Sequence, residues 1–279
     1  MKNHEMLRMF RYPSMIKSAA FCAAVFAMLS VLFKNSIVIV PEATEVRLCN
    51  VLTVCFAVWF GPAGAIGCGL GNLVGDLGGS LTALSYGGCF ANFLPAWLAY
   101  IVWDALGAAT GDYGARPSLK TKGWLRRYLL AGFVCVISCC AILGWDFDLM
   151  HAMPCANIAA TVFLNNIAAA VLGIALYALM AALPQKILPY WREQMTEEQD
   201  MAYPPERKKT AVFLSLFSLG FALFFAVYMA VNGLSLRVSD GYGRVLPDAV
   251  CIAATLIYLL AALRCRWEKR ESRNFFKKQ

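Results

Sequence analysis

The sequence predicts an all-α, polytopic integral membrane protein, and three observations carry that reading. Hydrophobic residues make up 60% of the 279 positions, charged residues only 15%, and the mean hydropathy is +0.59. A soluble domain of this length carries roughly a quarter charged residues. The apolar residues fall into long runs almost free of charge, as a bilayer requires: a helix needs about 20 of them to cross ~30 Å of hydrocarbon with its backbone groups satisfied internally. The basic residues cluster in the gaps between alternate runs, where topology signals lie.

Eight apolar segments follow in order, over residues 15–33, 46–60, 62–77, 86–109, 128–144, 156–183, 211–231 and 246–263. The basic stretch before the first, MKNHEMLRMFRYPSMIK, precedes a run too long for a signal-peptide core and without an A-x-A cleavage pattern, so a retained first helix is expected. The second and third segments are short, and either span separately or form a re-entrant pair. Lys and Arg number 21 in the two tails and the connections expected on the same side as them, against Lys34, Arg47, Arg237 and Arg244 in the others. The positive-inside rule then sets both termini in the cytoplasm. The connection PQKILPYWREQMTEEQDMAYPPERKK reads as a divider. It gives a six-helix core over 1–189, a cytoplasmic linker over 190–210 and a two-helix extension with a basic tail over 211–279.

The net charge of +8 is spread over these flanks, without the interleaved stacking aromatics of a nucleic-acid groove, so no nucleic-acid partner is expected. There is no G-x-x-x-x-G-K-[ST] phosphate loop, no H-E-x-x-H zinc motif and no G-x-S-x-G elbow, and histidines number only two. Catalytic residues, metal and cofactor are therefore all expected to be absent. Most of the eleven cysteines lie inside apolar runs without C-x-x-C pairing and read as small packing residues. Cys49 and Cys155, near the predicted outer face, are the two in position for a disulfide.

Polar residues inside spans mark function by default, because an unpaired one costs several kcal/mol in hydrocarbon. Arg47 opens the second segment, Asp76 closes the third, and Asn72 and Asn92 lie nearby. A helix-locking Arg47–Asp76 ion pair and a ligand contact are equally served by this arrangement. Asn165 and Asn166 lie near mid-membrane, where at least one should hydrogen-bond another helix. Gly64, Gly67, Gly71, Gly75 and Gly78 bare one face of the third segment for close helix packing. Ala19, Ala20, Ala23, Ala24 and Ala27 make two small-residue stripes on the first, suited to packing within the chain or onto another membrane subunit.

Taken in order, the alanine stripes, the outer connection ending in EVRLCNVL, the FGPAGAIGCGLGNLVGDL block and LNNIAAAVLGIALYALM resemble the substrate-binding S component of an energy-coupling factor (ECF) transporter over the first 185 or so residues. The resemblance implies a multi-pass cell-membrane protein that captures a vitamin-like or other micronutrient molecule from outside. It also implies docking through Ala19, Ala20, Ala23 and Ala24 onto a transmembrane coupling subunit carrying two ATPases. The two helices after Thr210 depart from the usual six-helix pattern. A ligand pocket is expected on the outer side, formed by Arg47, Asn50, Asp76, Asn92 and Asn157, with the Lys34 to Arg47 connection folded inward as a lid. The alternative from another class is a membrane sensor or scaffold whose extra helices and basic tail contact a cytoplasmic partner; a membrane enzyme ranks behind both.

Overall fold

The computed structural model describes residues 5–33, 38–40, 44–45, 47–78, 81–110, 115–195, 201–202, 205–232, 245–265 and 268–269. The main helices are α1 (Pro13–Leu32), α2 (Asn50–Phe60), α3 (Pro62–Leu77), α4 (Ala83–Thr110), α5 (Trp124–Leu149), α6 (Cys155–Ala182), α7 (Pro205–Asn232) and α8 (Val245–Arg264). Six of them, all but α2 and α3, are long and apolar enough to cross a membrane. Side chains such as Leu216, Leu223 and Val227 on α7 stay exposed on the bundle surface. Lipid offers them an apolar environment, so nothing drives them inward.

Short helices α2 and α3 form an antiparallel hairpin that turns at Gly61. The turn holds φ at 53°, and a Cβ there would lie 2.8 Å from the Trp191 ring, so both backbone and space demand glycine. Pro62 then opens α3 at the position where its missing N–H costs nothing.

Helix α1 lies along the glycine face of α3. A Cβ at Gly71 would stand 2.7 Å from the Ala23 carbonyl oxygen, and one at Gly75 would stand 2.9 Å from the Ser30 Cβ. The two backbones approach as closely as small residues allow. Ala19 and Ala27 are buried in this contact, whereas Ala20 and Ala24 are exposed on the other side of α1, beside Phe21 and Met28. The sequence left the two stripes equivalent; the fold separates them.

Helices α7 and α8 pack on α4 and α5, away from α1. Trp145 on α5 donates from Nε1 to Thr255 on α8 at 3.1 Å, and Cys155 on α6 meets Cys251 on α8 with 3.5 Å between sulfurs. All eleven cysteines are free thiols, and it is Cys251 rather than Cys49 that Cys155 faces. Beyond the helices, β1 (Val38–Val40) pairs antiparallel with β2 (Thr44–Glu45), and β3 (Met201–Ala202) with β4 (Glu268–Lys269). The second ladder ties the connection before α7 to the C-terminal tail.

Candidate functional site

Polar side chains collect at the end of the bundle where α2 begins and α3 finishes. Asn72 on α3 is fully buried and is the hub. Its Oδ1 accepts from Arg47 Nη1 at 3.1 Å and from Asn92 Nδ2 at 3.3 Å, and its Nδ2 donates to Asp76 Oδ2 at 3.5 Å. Three of the five expected ligand residues, Arg47, Asp76 and Asn92, thus meet on a residue outside that set. The spacing explains part of this: Asn72 and Asp76 are four apart and share one face of α3. Gly88 on α4 makes room, since a Cβ there would lie 2.8 Å from Asn72 Nδ2.

Asn50 turns elsewhere. Its Nδ2 donates to Oδ1 of Asn166 on α6, which fulfils the expectation that one of the mid-helix asparagines reaches another helix. The Cys139 thiol of α5 sits beside Asn166, so α2, α5 and α6 join at this point. Asn157 is half-buried in the first turn of α6, which is capped by Asp148: Oδ2 accepts from the Cys155 backbone N–H at 2.8 Å. The β1–β2 ladder occupies part of the expected lid; the rest of that connection falls outside the described residues.

The opposite end is closed by aromatic rings and arginines. Arg192 binds Asp104, Arg127 lies 4.1 Å above the Trp103 ring while donating to the Trp103 carbonyl at 3.1 Å, and Arg116 lies 5.1 Å above the Trp59 ring. Tyr177 stacks on Trp124 with centroids 4.9 Å apart. Tyr190, Trp191, Arg192 and Met195 are buried, although the sequence reads as linker from residue 190; a short helix, Trp191–Gln194, carries them against Gly61 and α4. Burial pushes the Tyr190 phenol above its ordinary range. Aromatic rings and paired arginines thus fill this end, and the Asn72 cluster lies toward the other.

The polar site missed by sequence reasoning is Asp146. Two residues beyond the apolar run 128–144, it nevertheless lies inside α5 and is buried, its carboxylate against Gly87 of α4. The signal available was the GG pair at 87–88, which admits polar side chains from two neighbouring helices.

Six long apolar helices enclosing a buried, hydrogen-bonded polar cluster define a multi-pass helical membrane protein. The QueT transporter family model matches residues 16–182, and the chain belongs to this family, whose members are ECF S components for a queuosine precursor. The match ends where α6 ends, leaving α7 and α8 as additions. No curated protein and no solved structure matches the chain.

Proposed function

We propose that the chain captures a queuosine precursor at its Arg47 end, facing outward, and releases it inside while docked on a coupling subunit driven by two ATPases. The observation that carries the reading is the Asn72 hub: one buried amide held by Arg47, Asp76 and Asn92 within a mainly apolar bundle. An apolar cavity with a few oriented polar groups is the usual make-up of a small-molecule site. The amides offer both donors and acceptors, which suits a nitrogen heterocycle better than a simple ion. Arg47, Asn50, Asp76, Asn92 and Asn157 remain the proposed contacts, with Asn72 organising them and the Lys34 to Arg47 connection as the lid.

Support for the docking face comes from α1. The Ala20–Ala24 stripe is open and flat, whereas Ala19 is used up against α3. The added helices pack on α4 and α5 and leave that stripe uncovered, which supports docking in the same way as a six-helix chain. The absence of a phosphate loop in the chain fits a division of labour with separate ATPases.

The test is uptake in cells that cannot make queuosine, supplied with this chain, a coupling subunit and its ATPases. Precursor-dependent queuosine in tRNA should appear only with all components present and active ATPases. Normal uptake by the chain without a coupling subunit would sink the proposal.

A further inference from the structure

The side chain of Asp146 is 6% exposed, and its Oδ2 has no hydrogen-bond partner among the described residues. No cation faces it. A buried carboxylate left in this condition destabilises its own fold, and such groups persist where something else completes them. Its position says what that is. Asp146 follows Cys139 by seven residues, two helical turns, so both lie on one face of α5 about 10 Å apart. Cys139 touches Asn166, the partner of Asn50, and Asp146 lies two turns further along α5, nearer the end of that helix. Gly87 and Gly88 are successive residues of α4. A side chain at Gly87 would collide with the Asp146 carboxylate, and one at Gly88 would press on Asn72. The glycine pair therefore lets Asp146 and the amide hub lie against the same turn of α4.

We propose that Asp146 is the anionic end of the ligand site, accepting a protonated amine or an N–H-rich edge of the bound heterocycle while the Asn72 hub and Arg47 hold its acceptor side. This deepens the substrate reading above and rests on it. A ligand bridging the two ends supplies the missing donors to Oδ2. Binding energy then offsets the cost of an unpaired carboxylate in the empty protein, and a neutral ligand of the same shape gains less.

The experiment is calorimetric titration of the purified full chain in nanodiscs with two queuosine-precursor bases of the same ring, one bearing a protonated aminomethyl group and one a nitrile in its place. Asp146→Asn keeps the shape and removes the charge. The expected result is a roughly 10- to 100-fold weaker affinity for the amine, with the nitrile changed much less. The ligand-free variant should melt no lower than the wild type, because the substitution removes a buried unpaired charge. Asp146→Ala should reproduce both effects. Wild-type affinity for the amine in Asp146→Asn, or an equal loss for both bases with a lower melting point, would overturn the role while leaving the substrate reading intact. If the wild type bound neither base, the substrate reading would fall first and this inference with it.

Discussion

Arg192 grips Asp104 with two hydrogen bonds from Nη2, at 2.9 and 2.8 Å, and both side chains are buried. The pair joins the residues after α6 to the end of α4, beside the Gly61 turn and, through the Ser18 to Gln194 hydrogen bond of 2.9 Å, to α1. Removing one partner strands a charge. Asp104→Ala or Arg192→Ala should each cost roughly 3–5 kcal/mol, read as the thermal midpoint in detergent, while the double replacement by apolar residues recovers much of the loss. Additive losses in the double variant would show that the two residues act separately.

The two alanine stripes should behave differently. Ala19→Leu with Ala23→Leu forces bulk between α1 and α3, where backbones touch, and should lower stability by about 1–3 kcal/mol or more. Ala20→Leu with Ala24→Leu should leave the melting point unchanged but abolish co-purification with the coupling subunit. Retained co-purification in the second variant would move docking off this face.

Orientation can be read by labelling. In a cysteine-free background, the exposed positions Lys120 and His151, replaced one at a time by Cys, lie at opposite ends of α5. The His151 position should react with an impermeant thiol reagent in intact cells, and the Lys120 position only after permeabilisation. The reverse pattern would invert the protein.

Truncating the hub residues should weaken ligand without blocking membrane insertion. Asn92→Ala and Asp76→Ala each remove one contact and should cost roughly 1–3 kcal/mol, about 5- to 150-fold in affinity. Asn72→Ala should cost at least as much, since Arg47, Asp76 and Asn92 all lose the same partner. Equilibrium binding measures this, and unchanged affinity in all three variants would put the pocket elsewhere.

The 3.5 Å approach of the Cys155 and Cys251 sulfurs gives a direct check on the packing of α8. A disulfide needs about 2.0 Å, a short closure for two facing thiols. Treatment with the permeant oxidant diamide should yield a 155–251 disulfide by peptide mass, absent in Cys251→Ser. Failure in the wild type would mean that α8 is not held against α6 as described.

Much of this was legible beforehand because lipid imposes strict patterns. Each long helix needs a charge-free run, and a charge-free run of that length has few other uses. The glycine spacing in α3 told of a close neighbour, and the alanines of α1 supplied one. What the sequence hid are partnerships made across helices. Asn72 was visible as a buried amide, but its role as hub depends on Asn92 arriving from α4. Tyr190 and Trp191 sit among charged residues that read as linker, and only the missing side chain at Gly61 gives the Trp191 ring its place. Asp146 lies in the last turn of α5, and its burial depends on the glycine of a neighbouring helix.

Helix α3 has two occupied faces. Gly67, Gly71 and Gly75 rest on the backbone of α1, while Asn72 and Asp76 on the same 16-residue helix carry the polar hub. Long, rotatable side chains would absorb a displacement between helices, but bare backbone has almost no slack. Gly67, Gly71 and Gly75 have no side chains to take up a displacement of α1, so the position of Asn72 and its partners is tied to that of α1. Glycine here works as a fixed joint, making the close α1–α3 contact and the polar cluster parts of one unit.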